Sequence, residues 1–171
     1  MNDYLLSKIF LFGPPGEGRS SLIEKYCSGF NSPTKLTIGV DFHTKVVEFN
    51  EKKIRLQIWD MVEEERFRSL LSQYCKGANA AILIFDTSIK IEKVYEYIHF
   101  IREIAGDLPL MLIGNKVDGK DSQELTREKG EEIAKEFNLI DYFEISTRTG
   151  DNVDKMFMNL AGFVIDILDK Y

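Results

Sequence analysis

The stretch Ile9-Phe10-Leu11-Phe12-Gly13-Pro14-Pro15-Gly16-Glu17-Gly18-Arg19-Ser20-Ser21-Leu22-Ile23-Glu24-Lys25-Tyr26 decides the fold class. Its first four residues are apolar without alternation, the pattern of a strand buried on both faces. The glycines and prolines that follow interrupt that strand, and the run from Ser21 to Tyr26 reads as helix. A buried strand that turns through a glycine-rich loop into a helix points to an α/β fold with a parallel sheet.

The rest of the chain repeats the theme. Ala80–Phe85 and Leu110–Ile113 are unbroken apolar runs of the same kind. Ile54-Arg55-Leu56-Gln57-Ile58 instead alternates with period two, and it follows Phe42–Phe49 across the polar tetrapeptide Asn50-Glu51-Lys52-Lys53, which suits a hairpin. Helical spacing places Val94, Tyr97, Ile98 and Ile101 on one face, and Val153, Met156, Phe157, Leu160, Val164 and Ile167 on another. Glu128–Phe137 is a shorter helix with Ile133, Ala134 and Phe137 inward and Thr126 as its cap. The order predicts a six-stranded, mostly parallel sheet with one antiparallel edge pair and five helices on both faces. With 171 residues the chain is a single domain spanning 1–171.

Composition narrows the partners. Hydrophobic residues make up 44% and charged residues 29%, which is ordinary for a globular protein. The 22 basic and 28 acidic residues give a net charge of −6 with no basic run, so non-specific nucleic-acid binding and a polybasic membrane patch are not expected. Cys27 and Cys75 have no metal-ligand spacing and belong to a reducing compartment. No secretory signal is visible, and the longest apolar runs fall far short of the ~20 residues a membrane span needs. The chain ends Asp169-Lys170-Tyr171 without a cysteine for a prenyl group. The expectation is a cytoplasmic monomer with no membrane anchor, peripheral to membranes only if a lipidated tail follows Tyr171.

The loop has a chemistry of its own. Gly13 to Ser20 matches G-x-x-x-x-G-K-[ST] except that Arg19 stands at the lysine. In such a loop the backbone from Pro15 to Ser21 surrounds a phosphate chain, the amides of Gly16, Glu17, Gly18, Arg19, Ser20 and Ser21 converge on it, and the helix N-terminus adds its positive end. Arg19 keeps the charge but is planar and bulkier than a lysine ammonium. Ser20 would offer a hydroxyl to Mg²⁺. A plain glycine-rich turn is the other reading of these residues.

A second motif decides between them. Leu112-Ile113-Gly114-Asn115-Lys116-Val117-Asp118 places N-K-x-D at the C-terminal end of a buried strand, the edge where doubly wound sheets bind ligands. The Asp118 carboxylate can accept from the ring N–H and the exocyclic amine of guanine together, whereas adenine would present it a lone pair. Asn115 can donate to the base edge and tie neighbouring loops, and the Lys116 stem can cover the base. The wrong base would leave a buried charge unpaired.

With these residues in place the chain resembles the Ras superfamily of small GTPases, and its Rab branch most closely, over nearly its whole length. Thr37-Ile38-Gly39-Val40-Asp41-Phe42 is similar to the Rab first switch, and Trp59-Asp60 with Glu65-Arg66-Phe67-Arg68 to the second. Tyr74-Cys75-Lys76-Gly77-Ala78 and Thr149-Gly150-Asp151-Asn152-Val153 also match in place. The resemblance implies a P-loop GTPase fold and a switch that binds GTP or GDP with Mg²⁺. It implies Thr37 as a Mg²⁺ and γ-phosphate contact, Asp60 as a Mg²⁺ residue acting through water, and Phe30 against the guanine. Ser146-Thr147-Arg148 stands where the family has a Ser-Ala-Lys guanine loop. Phe42, Trp59 and Tyr74 correspond to aromatics that Rab proteins present to effectors, although plain packing explains such residues equally well.

The second switch departs from the family. Where Asp-x-x-Gly-Gln-Glu is usual, the chain reads Asp60-Met61-Val62-Glu63-Glu64-Glu65. Glu63 replaces a glycine whose amide approaches the γ-phosphate. Glu64 replaces the glutamine that orients the attacking water and, once ionised, only accepts hydrogen bonds. Pro15 can donate no amide beside the same phosphate. The acidic run also suits the start of a solvated helix. The expectation is intact guanine recognition with slow hydrolysis; the alternative is a nucleotide-bound scaffold that does not cycle. An ATP-dependent P-loop enzyme is a third reading, opposed by Asn115, Lys116 and Asp118.

Overall fold

A computed structural model of the chain describes residues 4–29, 40–61, 68–116 and 123–171. In chain order the elements are β1 (Tyr4–Phe12), α1 (Arg19–Tyr26), β2 (Ser28–Gly29), β3 (Val40–Phe49), β4 (Lys52–Met61), α2 (Arg68–Tyr74), β5 (Ala80–Asp86), α3 (Ile91–Ala105), β6 (Leu110–Asn115), α4 (Arg127–Glu136), β7 (Tyr142–Ile145) and α5 (Val153–Leu168). The sheet order is β2-β3-β4-β1-β5-β6-β7. β4, β1, β5, β6 and β7 run parallel, and β3 is antiparallel to β4. The six strands and the edge hairpin therefore stand as the sequence implied. A seventh, two-residue strand, Ser28–Gly29, adds itself antiparallel to β3 and is too short to carry any periodicity.

Two boundaries differ from the sequence reading, each for a physical reason. β1 begins well before the apolar run because its first residues pair with β4 alone, whereas Ile9–Leu11 pairs with both β4 and β5. Only the doubly paired part needs to be apolar on both faces. The hairpin closes in two residues rather than four, with φ of 49° at Asn50 and 65° at Glu51. Both central residues of a type I′ turn require positive φ, and this turn matches the right-handed strand twist. Lys52 and Lys53 then belong to β4 and pair with Phe49 and Glu48.

Alternation along the central strands splits the core into two layers. Ile9, Leu11, Ile82, Ile84, Met111 and Ile113 pack with α1 and α5 on one face. Phe10, Phe12, Leu83, Phe85, Leu110 and Leu112 pack with α2, α3 and α4 on the other. The predicted helix faces hold at Val94, Ile98, Ile101, Ile133, Met156, Phe157 and Leu160, which are all buried, whereas Tyr97, Ala134, Phe137 and Ile167 are only half-buried. Thr126 caps α4 by accepting from the Lys129 amide at 3.2 Å. Because the inner strands are parallel, Phe12, Met61, Asp86, Asn115 and Ile145 all end at one edge of the sheet. Among the described residues no helix is long and apolar enough to cross a membrane.

Candidate functional site

That edge carries the loop between β1 and α1. A β-carbon on Gly13 would stand 2.4 Å from the Ile84 carbonyl oxygen, so the loop departs in direct contact with β5. The Glu17 carboxylate reaches the same strand end, where it accepts from the Asp86 amide at 2.5 Å. Gly18 begins α1 in a left-handed conformation, with φ 107°, and no side chain caps the helix. The first intrahelical bond of the segment runs from the Leu22 amide to the Gly18 oxygen at 2.9 Å. The amides of the first turn thus carry the positive end of the helix towards the edge of the sheet, the arrangement that binds anions. Pro15, Gly16 and Ser20 are exposed there.

Arg19 has a more specific place than sequence reasoning gave it. Its Nη1 donates to the carbonyl oxygens of Gly13 at 2.7 Å and Met61 at 3.0 Å. Its Nε lies 2.9 Å from Asp60 Oδ1, in an ion pair whose side chains are only 12% and 15% exposed. The contact is one of charge, because no donor is aimed at Oδ1, which is buried without a hydrogen bond. Burial pushes the Asp60 carboxyl above its usual range, and Arg19 and then His43 oppose that shift. The loop pattern assigns Arg19 to phosphate and the resemblance assigns Asp60 to a Mg²⁺-bound water; here the two residues are each other's partners. A lysine could not join these three groups with one planar fork. The arginine at this position is the sequence's one signal of the contact, and the loop pattern alone implies only altered phosphate binding.

The part of the edge at the end of β6 is tightly tied. Asn115 is 3% exposed at the end of β6. Its Oδ1 accepts from the buried Thr147 amide at 3.0 Å, and its Nδ2 would lie 2.2 Å from any β-carbon at Gly18. One side chain therefore joins the glycine-rich loop to the Ser146-Thr147-Arg148 loop. The Thr147 carbonyl accepts from Tyr26 Oη at 3.1 Å and Lys25 Nζ at 3.2 Å, which adds α1 to the junction. Ser146 is buried, and its Oγ accepts from the Thr149 amide at 3.2 Å. Arg148 is exposed. The exposed Lys116 has its ammonium 3.4 Å from Glu144 Oε2. Sequence reasoning anticipates that Asn115 ties loops and names Glu17 for the phosphate loop, but it misses the Glu17 side chain's contact with Asp86 and misses Lys25 and Tyr26 altogether, because these contacts span distant segments.

Phe30, Thr37, Glu63, Glu64 and Asp118 lie outside the described residues. Phe42, Trp59 and Tyr74 do form one cluster: Phe42 meets Trp59 edge-on at 4.5 Å between centroids, and Tyr74 lies 6.4 Å from Trp59. Lys8 Nζ stands 3.9 Å from the Trp59 ring centre. All three aromatics are half-buried against the core face that holds Phe10.

The geometry can be set beside known proteins. The sequence profile of the Ras family matches residues 8–166. The human Ras-related protein Rab-30 is 37% identical over 166 residues, which cover 94% of this chain and 81% of that protein. Ras-related protein Rab-10 of Diplobatis ommata is 39% identical over 170 residues, covering 97% and 83%. Human Ras-related protein Rab-12 is 38% identical over 167 residues, covering 95% and 67%. A glycine-rich loop opening α1, an Asn-Lys pair closing β6, and family similarity across almost the whole length agree: the chain belongs to the Ras family, as a Rab-like small GTPase.

Proposed function

We propose that this chain is a molecular switch that binds GTP and GDP and hydrolyses GTP slowly. The observation that carries the proposal is the junction at Asn115, which locks the glycine-rich loop to the Ser146–Arg148 loop through Gly18 and Thr147. Such a junction holds a phosphate site and a base site at fixed separation. The first-turn amides of α1 and the loop from Pro15 to Ser21 take the phosphates. Asp118 reads the guanine edge, and Ser146, Thr147 and Arg148 close the other side of the base. Phe30 stacks on it. In hydrolysis a water attacks the γ-phosphorus, the bond to the β-γ bridging oxygen breaks, and GDP and inorganic phosphate leave. In this reading Thr37, Glu63, Glu64 and Pro15 serve the γ end. Glu64 can accept from the water yet donates nothing to the developing charge, and Glu63 brings a like charge near it.

The reading extends to partners with the same support. The half-buried Phe42, Trp59 and Tyr74 cluster is proposed as the surface that effector and regulatory proteins recognise, in a Rab-like role in membrane traffic, by a cytoplasmic monomer. Aromatic residues beside an edge strand suit such a contact.

The test is chromatography of nucleotide released by denaturing the purified chain, followed by single-turnover hydrolysis. Bound GDP or GTP with slow phosphate release supports the switch. Bound GTP with no hydrolysis, even with an activating protein, makes the chain a non-cycling scaffold instead. Bound adenine nucleotide contradicts the reading.

A further inference from the structure

We infer that Arg19 takes over at Asp60 the part the resemblance gives to a Mg²⁺-bound water, so that guanine nucleotide is retained without dependence on a divalent cation. The inference rests on the nucleotide reading above.

One guanidinium reaches two segments at the site. It holds the Gly13 carbonyl at the start of the glycine-rich loop, and the Met61 carbonyl and Asp60 carboxylate at the end of β4. Asp60 Oδ1 is buried and accepts no hydrogen bond, which taken alone would suit a metal-bound water. The Arg19 Nε, however, stands 2.9 Å from that oxygen. A water bridging Oδ1 to a divalent cation would stand against this nitrogen, and two cations would share a single carboxylate in a poorly hydrated place. The described residues therefore do not fit a Mg²⁺ held through Asp60 while Arg19 keeps its partners. Nothing requires Arg19 to leave them, because Nη2 has no partner among the described residues and can meet a phosphate oxygen while Nη1 and Nε stay in place. A lysine cannot do this: its compact ammonium would choose between the phosphate and Asp60.

The experiment loads the 171-residue chain with fluorescent N-methylanthraniloyl-GDP and follows its release in millimolar MgCl₂ and in excess EDTA. The inference expects EDTA to change the release rate of the unmodified protein by less than about threefold, and that of Arg19→Lys by about tenfold or more, since affinity changes within one site fall mostly on dissociation. The lysine variant should gain the dependence because Asp60 is returned to a metal-bound water. Tenfold acceleration by EDTA in the unmodified protein overturns the inference while leaving nucleotide binding intact. Insensitivity of Arg19→Lys, at an unchanged melting temperature, overturns the assignment to Arg19. Should that variant fail to fold, the unmodified protein in the two buffers decides alone. A chain that takes up no GDP in either buffer overturns the nucleotide reading, and the inference with it.

Discussion

Gly18 and Asn115 touch so closely that a β-carbon on the glycine would stand 2.2 Å from Asn115 Nδ2 and 3.0 Å from its Cγ. The glycine also has φ 107°, where L side chains are strained. The same Asn115 holds the Thr147 amide through its other amide atom, so a push at Gly18 is transmitted to the Ser146–Arg148 loop. Gly18→Ala is therefore expected to weaken GDP binding by about 2 kcal/mol or more, combining backbone strain with a displaced Asn115. Calorimetry against GDP checks this. An alanine variant that binds as the unmodified protein does would mean that the loop and the junction move independently.

Gly130 reverses an ordinary rule. Alanine normally improves on glycine inside a helix by about 1 kcal/mol. Here a β-carbon would lie 2.4–2.5 Å from the Cε1, Cδ1 and Cζ atoms of Tyr142. That ring is buried and is also pressed against Gly114, so it has nowhere to retreat. Gly130→Ala should destabilise by about 2 kcal/mol, lowering the melting temperature by roughly 4–8 °C. Tyr142→Leu in the same background should recover part of the loss. A rise in melting temperature for the single variant would contradict the packing.

How much of this was legible in advance follows from range. Ile9–Phe12, Ala80–Phe85 and Leu110–Ile113 announce a parallel core because both faces must be apolar, and the structure sorts their alternate residues into two layers. The two-residue turn at Asn50-Glu51 was hidden because its polar character continues into Lys52 and Lys53, which the strand tolerates at its exposed end. Loop residue types carry the proposed phosphate and base sites. Arg19 was placed correctly in the loop, but its partner Asp60 is tens of residues away, and no periodicity records such a contact. Tyr26 and Lys25 on the Thr147 carbonyl were unreadable for the same reason.

The thiols set an alkaline limit. Burial pushes both Cys27 and Cys75 up to about 11, with Lys45 and Lys8 respectively pulling slightly the other way. An unfolded cysteine titrates near 8.5, so between roughly pH 8.5 and 11 the unfolded chain loses these protons first. The stability linked to the neutral thiols is complete below that window and lost as pH rises through it. The unfolding temperature should fall steadily from pH 9 to 11, and Cys27→Ala together with Cys75→Ala should flatten that slope. A slope identical to that of the unmodified protein would show that other groups control it.

Hydrolysis offers a repair experiment. Intrinsic GTP hydrolysis is expected at or below roughly 10⁻⁴ s⁻¹, near the rate of small GTPases without an activator. Glu63→Gly with Glu64→Gln should raise it, because the pair restores a close amide and a neutral group that orients water. The double variant should exceed the sum of the singles, since both act on one phosphate. Single-turnover phosphate release measures this. Several turnovers per minute from the unmodified protein would place the water-orienting group elsewhere.

The central claim, that this chain reads guanine, is tested most directly by titrating GDP and ADP calorimetrically into the unmodified protein and into Asp118→Asn. The carboxylate at residue 118 should accept two hydrogen bonds from guanine and none from adenine, so GDP should bind at least about a hundredfold more tightly than ADP. Asp118→Asn should weaken GDP by roughly 2–4 kcal/mol and leave ADP nearly unchanged, narrowing the gap. Equal affinity for the two nucleotides, or no loss of GDP affinity in Asp118→Asn, would contradict the account.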